Sequence, residues 1–195
     1  MLRFRFYNLG SLAPFYRYFR KNGDLGDHFY TLDAEEIGTI EIGRTGKHGY
    51  AYEGVECKIH RSKVENSYPL YRYVKDSIMD HFYTLSSDEI GTVTPGEVGK
   101  HGYKSEGVAG YCFITQYPGT IPLYRYWDRV SGDHFYTTSY REIGTRTPGN
   151  VGTHGYRYGG VACFVIGSYK SEVICFQINS YKCIYSLYII INITL

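Results

Sequence analysis

Little in this chain points to catalysis. It has no nucleophile elbow, phosphate-binding loop, zincin helix or dinucleotide fingerprint. No segment approaches the run of about 18 apolar residues that a membrane-spanning helix needs. Met1 to Gly10 holds basic and apolar residues but no apolar stretch of signal-peptide length. Charge of one sign is also missing: 21 basic side chains face 19 acidic ones, a net charge of +2. That balance argues against nucleic acid or an anionic membrane as partner. The five cysteines, Cys57, Cys112, Cys163, Cys175 and Cys183, form no CxxC pair and no metal-ligand spacing. Buried free thiols are the favoured expectation over disulfides. Tryptophan occurs once and methionine twice, against 23 tyrosines. A tyrosine joins a large apolar ring to a hydroxyl that needs a partner, which suits strands, half-wet interfaces and sugar contacts.

What the chain does have is a phrase repeated three times. Its copies open at Pro14-Phe15-Tyr16-Arg17-Tyr18, Pro69-Leu70-Tyr71-Arg72-Tyr73 and Pro122-Leu123-Tyr124-Arg125-Tyr126. Each continues into Asp-His-Phe-Tyr-Thr from Asp27, Asp80 and Asp133, passes through Glu-Ile-Gly-Thr, and closes on His-Gly-Tyr from His48, His101 and His154. The histidines His28, His81 and His134 are spaced by 53 residues, twice over. Such a period marks equivalent units, none of which buries its apolar face alone.

Within a unit, two short aromatic β-prone runs joined by a polar stretch read as a hairpin. Asp33 to Glu36, Ser86 to Glu89 and Ser139 to Glu142 have the form of a capping box, so a short helical turn is expected there, ended by Gly38, Gly91 and Gly144. A Gly/Pro-rich loop and a final strand complete the unit, the last strand bent at Gly159-Gly160. The expected fold is mainly β: three repeats of 53 residues in a pseudo-threefold, compact, β-trefoil-like arrangement, with a helical turn in each. The boundaries are an extension at 1–13, repeats at 14–68, 69–121 and 122–167, and an atypical tail at 168–195. That tail lacks glycine and is rich in Ile, Tyr, Ser, Asn, Cys and Lys. It reads either as translated A/T-rich non-coding sequence or as an edge strand.

Three constellations could carry chemistry. Strand alternation puts Arg125 on one face with Leu123 and Trp127, as it does Arg17 with Phe15 and Phe19, and Arg72 with Leu70 and Val74. A half-buried arginine wants an acid, for which Glu53 and Glu106 are placed, while the third copy has Gly159 and leaves Arg125 to another acid or a ligand. Asp27-His28, Asp80-His81 and Asp133-His134, with Tyr30, Tyr83 and Tyr136, form the second set. These side chains either serve the turn and the backbone or hold sugar hydroxyls at three hairpin mouths, where multivalency would compensate for weak single sites. A metal site would require the three histidine rings to converge. The His-Gly-Tyr triplets are expected to be structural, with glycine at a positive φ.

These blocks resemble a Tyr-rich repeat family of unassigned function, whose bacterial repeats read approximately LYRLYN…GDHFYTT…GW.YEGVA. The resemblance spans about residues 14 to 167. It differs at the shortened helix, at Tyr50, Tyr103 and Tyr156 in place of Trp, and at the missing Glu of the third unit. Members of that family are often appended to secreted hydrolases, so the resemblance implies an extracellular accessory module. The resulting expectation is a non-catalytic, multivalent carbohydrate-binding or adhesion module with glycans or glycoproteins as partners and no cofactor or metal. Its candidate ligand contacts are Asp27, His28, Tyr30, Asp80, His81, Tyr83, Asp133, His134, Tyr136, Arg125 and Trp127. The alternative is a structural or protein-interaction repeat without a small-molecule ligand.

Overall fold

The computed structural model describes residues 11–168. Of the expected extension at 1–13, residues 1–10 lie outside the described residues, while Leu12 and Ala13 already belong to the first strand; the expected tail at 168–195 lies outside them from residue 169 on. Nine strands account for the three repeats. The first contributes β1 (Leu12–Asn22), β2 (Leu25–Thr31) and β3 (Ala51–His60). The second contributes β4 (Ser67–Lys75), β5 (Asp80–Thr84) and β6 (Lys104–Phe113). The third contributes β7 (Ile121–Trp127), β8 (His134–Thr137) and β9 (Arg157–Gly167). In every unit the opening strand is central. The hairpin partner lies on one side of it and the closing strand on the other, all antiparallel.

The trefoil expectation is overturned. The hydrogen-bonded path runs β2-β1-β3-β6-β9-β7-β8, with β4 and β5 attached through β6. The closing strands meet one another near their C-terminal ends, at His60–Tyr111, Phe113–Phe164 and Cys57–Gly167. The seven strands of this path make a nearly closed antiparallel β-barrel, not a trefoil. A repeat period shows that units are equivalent, but not which strands join them, and that pairing decides the architecture.

Both faces of each unit are covered. Arg17 is paired with Tyr30, Arg72 with Tyr83 and Arg125 with Tyr136, so these side chains share the inward face. With Phe15, Leu70, Leu123, Cys57, Cys112 and Cys163, the three tyrosines line one common core. The opposite face makes a small aromatic core of its own in each unit. In the first, Tyr18, Phe29, Tyr50 and Tyr52 pack under Ile37, and the others follow suit. This double burial explains why tyrosine dominates the strands. A strand buried on both faces near many backbone ends uses a ring that fills space and a hydroxyl that reaches a carbonyl. Tyr18, Tyr73 and Tyr126 do this, donating to the carbonyls of Thr39, Thr92 and Thr145.

The expected helical turns are 3-10 turns at Ala34–Glu36, Ser87–Glu89 and Tyr140–Glu142. The capping box does not form. Only Asp33 caps with its side chain, accepting from the Glu35 N–H at 3.0 Å. Glu36 instead accepts from the Thr31 hydroxyl at 2.6 Å and turns toward the next repeat. The preference for free thiols also fails for one pair, because Cys112 and Cys163 are joined in a disulfide with Cα atoms 6.2 Å apart, while Cys57 stays a buried thiol. The antiparallel pair Phe113–Phe164 lies next to both cysteines in the chain.

Candidate functional site

Strands β2, β5 and β8 each pair with one neighbour, so their outer N–H and C=O groups face the next repeat. Side chains, not a strand, complete these edges. The Tyr83 hydroxyl donates to the Tyr30 carbonyl and accepts from the Tyr30 N–H, both at 2.8 Å. Tyr136 does the same for Tyr83 at 2.8 Å, and Tyr30 for Tyr136 at 2.7 and 2.9 Å. The three buried phenols thus form a closed cycle around the axis, their rings 5.4–5.6 Å apart and edge to face.

One rung further along each edge, an aspartate takes over. Asp133 accepts from the His28 N–H at 2.8 Å, Asp27 from that of His81 at 2.9 Å and Asp80 from that of His134 at 2.8 Å. The second carboxylate oxygen of each accepts from the same histidine's Nδ1, at 2.5, 2.7 and 2.7 Å. It also accepts from a tyrosine hydroxyl: Tyr50 on Asp27, Tyr103 on Asp80 and Tyr156 on Asp133. An ionised carboxylate only accepts, so each Nδ1 donates to it. Those tyrosines are placed by the His-Gly turns. His48, His101 and His154 adopt φ of 56–59° and the following glycines φ of 76–85°, two left-handed residues that reverse the chain into the closing strand. Burial and the adjacent aspartates push all three phenol pKa values up. Burial opposes the Asp133 charge, but His28 and the bonds from His28 and Tyr156 outweigh it and hold this carboxyl below its usual value.

A metal site would have required the histidine rings to converge; it is the aspartates that come together, one oxygen from each of Asp27, Asp80 and Asp133 lying within 4.8 Å of the others. All three residues are fully buried and each carboxylate already accepts from a backbone N–H, an imidazole and a phenol. Their geometry ties repeat to repeat.

The arginines form a parallel cycle. Arg17 stacks over Phe135, Arg72 over Phe29 and Arg125 over Phe82, with Cζ 4.9–5.2 Å from the ring centres. Each also pairs with the Glu of the preceding unit's 3-10 turn: Arg17 with Glu142, Arg72 with Glu36 and Arg125 with Glu89, at 3.1 Å in each case. Two β-bulges in the first closing strand leave Glu53 and Glu56 without cross-strand partners and turn both carboxylates onto Arg17, at 2.9 and 2.6 Å. Glu106 lies 2.8 Å from Arg72 Nε, an ion pair whose alignment falls short of a hydrogen bond. The acid that Arg125 needed in place of Gly159 is Glu89, both oxygens of which it reaches at 3.1 Å. Glu56 also accepts from the Thr138 N–H and hydroxyl, adding a third rung to one junction, and burial pushes its carboxyl up despite Arg17 and those bonds.

Of the eleven candidate ligand contacts, Asp27, His28, Tyr30, Asp80, His81, Tyr83, Asp133 and Tyr136 are buried, and His134 and Arg125 are half-buried, all ten in these inter-repeat contacts. Only Trp127 is open to solvent, at the end of β7 with its ring 6.3 Å from that of His134.

A concave surface lies elsewhere among the described residues. A shallow groove of about 840 Å³ on the third repeat is lined by Tyr124, Tyr140, Tyr158, Arg146, Asn150 and Thr145, among others. The Tyr140 and Tyr158 rings stand at 83° and 59° to that of Tyr124, with centres 6.3 and 6.2 Å away. Arg146 lies over Tyr140, Cζ 4.2 Å from the ring centre, and donates from Nη1 to the Tyr124 hydroxyl at 3.2 Å. The equivalent places in the other repeats hold Tyr16, Ala34, Ile40 and Tyr52, and Tyr71, Ser87, Val93 and Ser105. Only the third repeat carries three rings and the cation together. Searching for what recurs hides such a site. The legible signal was the reverse, the positions where one copy departs from its siblings.

The chain belongs to a domain family of unknown function, DUF5648, whose model matches residues 14–166 and again 97–188. No curated protein and no solved structure matches it.

Proposed function

We propose that this protein is a non-catalytic carbohydrate-binding module whose site is the tyrosine-lined groove of the third repeat. The observation that carries the reading is the co-location of three tyrosine rings with Arg146, Asn150 and Thr145 in one concavity. Sugars present CH faces that pack on rings and hydroxyls that bond to such polar groups. The repeated carboxylates and histidines are engaged in tying repeats together, which supports binding without catalysis and one principal site in place of three. The Cys112–Cys163 disulfide supports an oxidising compartment, consistent with the secreted settings of the repeat family that the sequence resembles.

A glycan array probed with the full chain and with Tyr140→Ala tests this. Tyr140 is half-exposed and outside the inter-repeat cycles, so its loss leaves the fold intact. Binding by the parent and its loss in the variant are expected. A second reading, a structural or protein-interaction repeat without a small ligand, is favoured by the engagement of every repeated motif in folding. Silence of the well-folded parent across a broad array would select it.

A further inference from the structure

We infer that the groove of the third repeat selects saccharides bearing a carboxylate, such as uronate-containing chains, with Arg146 as the residue that reads the acid. This rests on the carbohydrate-binding reading above and specifies its ligand class.

The inference starts from a contrast among arginines. Arg17, Arg72 and Arg125 are each neutralised by glutamates of their own or the neighbouring repeat. Arg146 is exposed and, among the described residues, pairs with no carboxylate. The groove around it holds tyrosines, threonines, an asparagine and aliphatic groups, and no acid. Its cation is therefore available to a ligand, and its surroundings do not repel an anion.

Position matters as much as charge. The guanidinium lies against the Tyr140 face and is tethered at Nη1 by the Tyr124 hydroxyl. A guanidinium so held has lost much of its rotational freedom before binding, and it still has N–H donors to offer in a fork that matches a carboxylate. The rings of Tyr140, Tyr124 and Tyr158 border the same space, so an acid on a pyranose ring can meet the cation while the sugar's CH face meets an aromatic face. An acidic peptide supplies the charge without that face, which is why a sugar acid is the better match. Where Arg146 stands, the other repeats have Ile40 and Val93, so they lack the means to read an anion.

The test is calorimetric titration of the full chain with a linear oligouronate, with the neutral oligohexose of the same linkage, and with a short poly-glutamate. The parent is expected to bind the oligouronate about tenfold or more tighter than the oligohexose, the scale of one charge-assisted contact. Arg146→Gln is expected to bring that ratio to about one, because it weakens the oligouronate by about tenfold more than the oligohexose. Arg146→Lys keeps the charge but not the fork and is expected to recover only part of the preference. Equal affinity for both sugars, abolished by Tyr140→Ala, would overturn the acid preference and leave the carbohydrate site standing. Binding of neither sugar would overturn both. An oligouronate affinity untouched by Arg146→Gln, or poly-glutamate bound as tightly as the oligouronate, would overturn the inference as well.

Discussion

Replacing Tyr136 by Phe removes one oxygen atom and keeps the ring. That oxygen makes both hydrogen bonds from the Tyr136 side chain to β5: it accepts from the Tyr83 N–H and donates to the Tyr83 carbonyl, both at 2.8 Å. Tyr83 lies on an edge whose other side is already used by β4, and its surroundings are fully buried, so no solvent replaces the lost partner. A buried backbone group left without a partner costs about 1–3 kcal/mol, and two are orphaned here. The expected loss is about 2–6 kcal/mol, with about 3 kcal/mol as the working figure if the strands relax toward one another. For a domain of this size that lowers Tm by about 6–12 °C. Tyr68→Phe is the matched control, since Tyr68 is 46% exposed, and it should shift stability by less than about 0.5 kcal/mol. Urea denaturation followed by near-ultraviolet circular dichroism reads both variants. Because the three phenols form a cycle, Tyr30→Phe and Tyr83→Phe should cost the same within error. A Tyr136→Phe loss below about 1 kcal/mol, or a wide spread among the three variants, would refute the view that these hydroxyls stand in for a missing strand.

Three further expectations concern the Asp133 carboxylate and the cysteines. Asp133 is held below its usual carboxyl value, so its contribution is complete above the unfolded-state pKa, about 3.9, and disappears as pH falls through its lower folded value. The urea midpoint of the parent should therefore drop as pH is lowered from 5 toward 2. Asp133→Asn should be less stable at pH 5 with a flatter acid limb, and an unchanged slope would count against the ion pair with His28. Reducing the Cys112–Cys163 disulfide, which spans 51 residues, should cost about 4 kcal/mol by loop-closure entropy. Cys57 should resist a thiol reagent in the native state, because burial pushes its pKa well up; rapid native-state labelling would contradict this placement.

Much of the local structure was legible because local rules govern it. The hairpins follow from aromatic runs around polar turns, the early end of each short turn from Gly38, Gly91 and Gly144, and the positive φ of Gly49, Gly102 and Gly155 from glycine's tolerance of it. The partners Glu53 and Glu106 followed from the rule that a half-buried arginine needs an acid. The capping boxes did not follow, since a 3-10 turn is short enough for Glu36, Glu89 and Glu142 to leave their own backbone and reach the next repeat's arginine. Likewise, the repeated motif grouped His134 with Tyr136 but was silent on whether they met solvent or the axis.

The amino-acid sequence by itself determined three equivalent units, their mainly β character and the types of side chain at each unit's edge, because period, propensity and turn chemistry act over a few residues. Only the tertiary structure decided the barrel closure through β3, β6 and β9, the burial of the Asp and Tyr cycles, and the gathering of Tyr124, Tyr140, Arg146 and Tyr158 in one groove. The physical reason is that an edge strand's open hydrogen bonds have many solutions along a chain. Which one wins depends on groups that lie 53 or 106 residues away and meet only when the repeats close on one another.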